Sequence, residues 1–391
     1  MSNDCKIIKY YYIIICRKKN GEFFMAIQLS LVVPCYNEEA TLEDIVERVL
    51  LLRSESLELE IVIVDDCSTD RSRDIACMLA EKHPEISLAF HDVNQGKGAA
   101  LRTGFLKATG DYVGVQDADM EYNPQDYLVM LEPMLAGRAD VVYGSRYLKP
   151  DTRRVLYFWH SCMNKFLTFV SNMFTDLGIT DMETCYKLFK REVIQAIAPR
   201  LKENRFGFEP EVTTYVSEAR VRVYECAISY NPRTFEEGKK IGWRDGLRAL
   251  YCIMHYGACN APVPMQLLIY FFIGTVAALV NLGAFALMLE KTALGLEYST
   301  IISYIISAAV NYLLCIAILF RHKARWNTAG ELAAYVITLG IMGGIDYGLT
   351  KLLVEWLKAP VWGKLLASVV GFFGNYFLRR CFVFPLMNKK K

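Results

Sequence analysis

Three short apolar runs near the front of the chain, Ser30 to Val33, Glu60 to Val64 and Tyr112 to Val115, each stop at a polar, acidic cluster. The clusters are Pro34-Cys35-Tyr36-Asn37-Glu38-Glu39, Asp65-Asp66-Cys67-Ser68-Thr69-Asp70 and Asp117-Ala118-Asp119, and a helix-like stretch follows each. Short β-branched runs bounded by turn-forming residues predict buried strands, and their alternation with helices predicts a mostly parallel α/β sheet. Successive strand ends in such a sheet open on one crevice where ligands bind, so the three clusters predict a single site. The last third reads differently. Four apolar stretches, about 265–289, 298–320, 332–353 and 361–384, are each close to the ~20 residues that cross a bilayer as a helix. Buried helices of a large soluble domain are the alternative for them.

Composition supports the membrane reading, because 53% of the 391 residues are hydrophobic and the mean hydropathy is positive. Charge is divided unevenly. From Met265 onward 12 Lys and Arg face 5 Asp and Glu, which leaves the remainder of the chain net acidic. That balance argues against nucleic acid as a partner and suits an anionic lipid surface behind it. The basic connection Arg321-His322-Lys323-Ala324-Arg325 and the tail Lys389-Lys390-Lys391 place that loop, the C-terminus and the front domain in the cytoplasm by the positive-inside rule. The 12 cysteines contain no Cys-x-x-Cys pair and read as reduced thiols, and the five histidines show no metal-ligand spacing.

Residues 1–24 are expected to be a non-native extension. Lys6 to Arg17 looks like a signal peptide without a cleavage site, and the codons for Gly21-Glu22 can contain a purine-rich ribosome-binding sequence just before Met25. Translation from Met25 in a prokaryote follows, with 25–242 as the catalytic domain, 243–264 as an interfacial juxtamembrane segment and 265–391 as the membrane domain.

The chemistry starts from Asp117-Ala118-Asp119. On a strand, side chains at i and i+2 share a face, so the two carboxylates can hold one hard divalent cation, and that cation a diphosphate. A solvated turn is the alternative. Gly96-Lys97-Gly98 ahead of Ala99-Ala100-Leu101 reads as a phosphate-contacting loop or simply as a turn and helix start.

These motifs occur together, in order, with Gly144-Ser145-Arg146 and the late Arg233 and Lys239. From about Leu29 to Gly257 the chain resembles glycosyltransferase family 2, and within it the dolichyl-phosphate mannose synthase branch. From about Met265 to Lys391 it resembles the GtrA-like four-helix membrane family. The resemblance implies a GT-A, Rossmann-like domain joined to an all-α membrane domain. It implies that Pro34, Tyr36, Glu38, Val64 and Asp66 form a nucleoside pocket, with Lys97, Asp117, Ala118 and Asp119 completing the nucleotide-sugar site. It implies Mg²⁺ or Mn²⁺ on Asp117 and Asp119, with Glu121 as a third ligand, and phosphate neutralisation by Arg146, Arg233 and Lys239. Asp119, Arg146, Asp181 and Arg233 are the implied catalytic residues.

On the acceptor side, Val155 to Phe174 is apolar and aromatic, broken by His160, Asn164 and Lys165. It reads either as a core helix or as an amphipathic helix at the bilayer surface, with Arg153 or Arg154 on a lipid phosphate. The resemblance places acceptor residues at Asp181, Glu183 and Lys187. Cys185-Tyr186 stand where the mannose synthases usually have Gly-Phe, which leaves individual roles there open. A phosphate monoester is largely ionised at neutral pH, whereas a hydroxyl acceptor needs a base, for which Asp181 or Glu183 is the first choice.

The expected function is inverting sugar transfer from a GDP-mannose- or UDP-glucose-type donor to a polyprenyl phosphate at the cytoplasmic membrane face. Transfer to a hydroxyl, or a lipid-linked-sugar flippase with an accessory transferase domain, are the alternatives, and a homo-oligomer is an open partner. In the membrane part, Asn311-Tyr312 to Phe320 and Asn375-Tyr376 to Phe384 repeat at an offset of 64, and Asn281-x-Gly283 recurs as Asp346-x-Gly348. This predicts a duplicated two-helix hairpin whose polar residues bond helix to helix.

Overall fold

The computed structural model describes residues 26–148, 154–232, 242–291, 296–320, 328–358 and 360–383. The expected extension 1–24 and the residues Arg153, Arg233 and Lys239 lie outside them. The chain divides into two compact units, Met1–Asn260 and Ala261–Lys391.

In the first unit β1 (Ile27–Cys35), α1 (Leu42–Leu50), β2 (Leu57–Asp65), α2 (Ser72–Lys82), β3 (Ile86–Phe90), α3 (Lys97–Lys107), β4 (Tyr112–Val115) and α4 (Asp126–Leu135) alternate as the apolar pattern predicts. They are followed by β5 (Val141–Ser145), α5 (Phe158–Thr175), β6 (Lys187–Lys190), α6 (Arg191–Ile197), α7 (Phe208–Ala219), β7 (Val223–Ala227) and α8 (Trp243–Gly257). The strands form one sheet in the order β3-β2-β1-β4-β6-β5-β7, parallel except for β6, which runs antiparallel between β4 and β5. In-register pairing of Cys35 with Asp65 and of Val32 with Val115 brings the carboxyl ends of β1, β2 and β4 to one edge.

Burial explains why these segments order. Leu42, Ile45, Val46 and Val49 recur at helical spacing and are fully buried on α1, against a sheet core that includes Leu29, Leu31, Ile61 and Ile63. The strand expected to carry Asp117 and Asp119 ends earlier: β4 stops at Val115, and Asp117 to Glu121 form a turn in which Met120 has φ 62°. The two carboxylates are therefore presented by a turn, not by the pleat of a strand. Helix α5 is two-sided. Leu167, Thr168, Ser171 and Phe174 are buried on one side, whereas Trp159, Phe158 and Phe169 are more than half exposed.

The segment expected to be a separate juxtamembrane piece begins with α8, which packs on α5 and α7 within the first unit. Ala249, Cys252, Ile253 and Tyr256 are buried there, and Arg248 and Tyr256 both donate to Glu203.

The second unit contains α9 (Val263–Lys291), α10 (Leu296–Leu314), α11 (Thr328–Leu357) and α12 (Pro360–Leu378). π-helical segments extend α10 over Cys315–Phe320 and α12 over Arg379–Val383. Helix α9 packs with α10 and α11 with α12, as a pair of hairpins. Among the described residues, Val263–Met288 and Ile302–Leu319 are long and apolar enough to cross a bilayer, and Ala333–Met342 is a shorter apolar helix. Polar residues do bond between helices: Tyr335 donates to Asn311 Oδ1 at 3.4 Å and Tyr376 to Gln266 Oε1 at 2.6 Å. The side chain of Asp346 lies outside the described residues.

Candidate active site

The loops after β1 and β2 are fastened to each other, which fixes one wall of the edge where the strands end. Asn37, at φ 54°, accepts from Thr69 N at 2.8 Å, Glu38 N donates to Ser72 Oγ at 2.8 Å, and Glu39 N to Asp70 at 3.2 Å. Pro34 is half-buried and Tyr36 exposed above this seam, whereas the Val64 side chain is fully buried, so only its backbone can face a ligand.

Asp66, expected to meet the nucleoside, is 2% exposed and already engaged. Its carboxylate lies 2.7 Å from His91 Nδ1 and accepts from the backbone N–H groups of Gln95 at 2.9 Å and Gly96 at 2.6 Å. Asp66 thus shapes the turn that leads into α3. Gly96 is required in that turn, since its φ is +100° and a Cβ would sit 2.4 Å from Asn204 O. A Cβ at Gly98 would meet Glu203 O at 2.3 Å, so the loop and the start of α3 lie directly against residues 203–205.

Lys97, the first residue of α3, reaches across to Asp117 with Nζ–Oδ1 at 2.7 Å. Cys185 Sγ is 2.9 Å from the same ammonium and Glu209 Oε1 3.9 Å. Burial alone would favour neutral lysine, but the neighbouring Asp117, with Cys185 and Glu209, raises its pKa well above the usual lysine range. Asp119 Oδ1 accepts from Glu121 N at 3.2 Å, and the Glu121 carboxylate accepts from Tyr230 OH at 2.9 Å. Glu121 is thereby turned toward the β7 side of the turn.

Among the described residues no group of three or more His, Cys, Asp or Glu surrounds a point where protein alone could hold a metal. The donor set still fits a hard cation of the Mg²⁺ type. Such ions are commonly held by one or two carboxylates plus substrate phosphates, and Asp117 and Asp119 supply those oxygens.

Arg146, at the end of β5, is 8% exposed and forms a bidentate pair with Asp181, Nε–Oδ2 2.7 Å and Nη2–Oδ1 2.8 Å. Its guanidinium also lies 5.1 Å from the ring centre of Tyr230. Burial opposes the charge, but Asp181 beside it raises the arginine pKa further. Asp181 itself is fully buried. With both oxygens on Arg146, Asp181 is placed to orient that arginine and is not free to take a proton from an acceptor.

Lys187 does not reach an acceptor site. It is fully buried, its ammonium donating to Met182 O at 3.0 Å and to Thr184 O and lying 5.0 Å from the Tyr143 ring centre. The reason is register, because β6 pairs Lys187 with Tyr143 inside the sheet. Arg154 donates to Pro232 O at 3.2 Å, which ties it to the segment after β7.

Glu183 is held differently from Asp181. Its Oε1 is buried without a hydrogen-bond partner, as are Thr184 Oγ1 and Glu209 Oε2. Burial, and then the Glu209 carboxyl, push the Glu183 carboxyl up to about 8 against the opposing pull of Lys187 and Arg146. The folded state therefore keeps a proton on Glu183 between its unfolded value and about pH 8, where the unfolded chain has released it. Stability should fall with rising pH across that window and level off above it, and Glu183→Gln should flatten the fall. Chemical denaturation at stepped pH checks this, and an unchanged slope in the variant would refute it.

His91 and Glu209 are site residues that the sequence reading missed. Nothing in the sequence marks His91. Glu209 had a faint signal as an acidic residue in the start of a helix otherwise buried through Phe208, Val212 and Val216.

Comparison with known proteins agrees with this architecture. Residues 30–198 match glycosyl transferase family 2, and residues 269–384 match the GtrA/DPMS transmembrane domain. A dolichyl-phosphate beta-glucosyltransferase of Trichomonas vaginalis is 30% identical over 220 residues, covering 53% of this chain and 66% of that protein. A dolichol-phosphate mannosyltransferase of Pyrococcus furiosus is 27% identical over 233 residues, covering 59% and 64%. The matches thus span just under two thirds of these relatives. Among solved structures, glucosyl-3-phosphoglycerate synthase from Mycobacterium tuberculosis superposes with a TM-score of 0.46 at 16% identity, covering 60% of this chain and 80% of that one. The parallel sheet with its antiparallel β6 is a GT-A fold, and the chain carries a glycosyl transferase family 2 domain followed by a GtrA/DPMS transmembrane domain.

Proposed function

We propose that the protein is a hexosyltransferase that moves a sugar, with inversion, from a nucleotide-diphospho-sugar of the GDP-mannose or UDP-glucose type to a polyprenyl phosphate at the cytoplasmic face of the cell membrane of a prokaryote. The observation that carries this reading is the Arg146–Asp181 pair. It supplies a fixed cation near the turn that presents Asp117 and Asp119 and occupies one of the two carboxylates, Asp181 and Glu183, that a hydroxyl acceptor could use as a base.

Asp117 and Asp119 would hold Mg²⁺ or Mn²⁺, which when bound offsets the negative charge of the donor diphosphate. Lys97, 2.7 Å from Asp117, holds that carboxylate in place. Two of the five guanidinium donors of Arg146 are used by Asp181, and the rest of the fork is available to a phosphate oxygen as the sugar leaves. Arg233 and Lys239, and Arg153 on the acceptor side, belong to the same proposal on the strength of the sequence. An acceptor phosphate ionised near pH 6 attacks the anomeric carbon without a protein base. The exposed Trp159, Phe158 and Phe169 on α5 suit a bilayer surface, where such a lipid presents its head.

Transfer to a hydroxyl is the second reading, favoured by the buried, unpartnered Glu183 Oε1. The two separate in a pH profile. Detergent-solubilised protein with Mn²⁺ is given radiolabelled GDP- and UDP-sugars and a polyprenyl phosphate, and label extracted into organic solvent is counted. The proposal expects label from one donor, a rising limb near pH 6 and little change in Glu183→Gln. A limb near pH 8 that vanishes in Glu183→Gln, seen only with a hydroxyl glycolipid, would replace it.

A further inference from the structure

The membrane unit holds a guanidinium for which the transferase reading has no use. Arg379 opens the π-helical segment after α12 and is 4% exposed. Its Nη1 donates to Asn311 Oδ1 and lies 4.0 Å from Cys315 Sγ, and its charge sits over the rings of Tyr335 at 4.5 Å and Tyr270 at 5.6 Å. Its Nε is buried and has no hydrogen-bond partner. The partners found among the described residues are thus neutral: an amide oxygen, a thiol and two phenol rings. A cation in apolar surroundings is costly without an anion, and a buried donor left unpaired adds to that cost.

Helices α9 and α11 begin, and α10 and α12 end, where these residues meet, so the group lies at one end of the bundle. π-helical turns are rare and concentrate at functional sites, and here two of them, opened by Cys315 and Arg379, face each other. Cys315 and Arg379 occupy equivalent places in the 64-residue repeat, as do Asn311 and Asn375. The guanidinium is thus carried by the second copy alone. Asn375, one turn before Arg379 on the same face of α12, also has a buried oxygen without a partner.

We propose that Arg379 anchors an anion site at this end of the membrane unit and that the site takes the phosphate head of a lipid. The fork of the guanidinium matches two phosphate oxygens, Nε among the donors, and the tyrosine rings and flanking apolar helices suit the attached chain. A singly protonated phosphate can in addition donate to Asn375.

The test uses the full chain in phosphatidylcholine nanodiscs without any nucleotide-sugar, so its outcome does not depend on transfer. Native mass spectrometry measures retention of undecaprenyl phosphate and, separately, of phosphatidylglycerol. Arg379→Gln should weaken retention about tenfold, the size of one charge-assisted hydrogen bond. The swap Arg379→Cys with Cys315→Arg, which returns the charge from the equivalent position, should restore most of it and keeps the test sound if the single variant folds poorly. Preference for the monoester supports an isoprenoid phosphate as occupant, and equal retention of both supports an ordinary phospholipid. Unchanged retention in Arg379→Gln overturns the site.

Discussion

Asp119→Asn should reduce sugar transfer about 10³-fold, the several kcal/mol of charge stabilisation that a metal-bound carboxylate supports, while the protein melts within a few degrees of wild type. The unequal setting of the two turn carboxylates is the reason. Lys97 lies 2.7 Å from Asp117, so removing that carboxylate also disturbs a buried ion pair, whereas Asp119 lies outside that pair. Asp117→Asn should behave differently. It leaves Lys97 buried against Cys185 and Glu209 without its principal counter-ion, and should cost about 3–5 kcal/mol of stability in addition to activity. Organic-extractable label and thermal melting of both variants give the comparison. Transfer by Asp119→Asn within tenfold of wild type would remove the cation from the proposed function.

The second large effect is expected at Arg146. Arg146→Met removes a guanidinium whose partner, Asp181, is fully buried, and strands that carboxylate. Breaking a buried pair from one side costs about 3–5 kcal/mol, which for a domain of this size lowers the melting temperature by on the order of 10 °C. Adding Asp181→Asn should recover part of the stability, because a neutral amide is cheaper to leave unpaired, but none of the transfer. A double-mutant cycle on melting and on label separates the two roles. If Arg146→Met melts like wild type, the pair does not hold the site together, and the reading of Asp181 as a positioning residue falls with it.

The front half of the fold was legible because its code is local. Short, continuously buried apolar runs around Leu31, Ile61 and Val113, each closed by polar turn residues, specify strands and their ends with little help from distant parts of the chain. The Asp117–Asp119 motif was visible for the same reason, although its conformation was misjudged, because Val115 ends the strand two residues before the first carboxylate. The partners of the charged groups were not legible. Lys97 meets Asp117 from another helix, Asp66 meets His91, and Asp181 meets Arg146 across 35 residues of chain. Lys187 shows how far such a reading can miss: a lysine beside expected acceptor residues is turned into the core by the antiparallel register of β6.

What the sequence by itself determined is the division into an α/β part and an apolar helical part, the existence of an acidic edge on the sheet, and the repeat in the membrane helices, all of which follow from periodicity and composition. What only the tertiary structure decided is which of the candidate charges are available for chemistry. A carboxylate or ammonium acts through what lies within a few ångströms of it, and in this chain those neighbours come from distant elements brought together by strand order and helix packing. Asp181 and Glu183 differ little as letters, and nothing in the sequence sets Arg379 apart from the other arginines. They differ physically because one is paired and buried, one is buried beside another carboxyl and keeps its proton, and one is a cation whose described partners are all neutral.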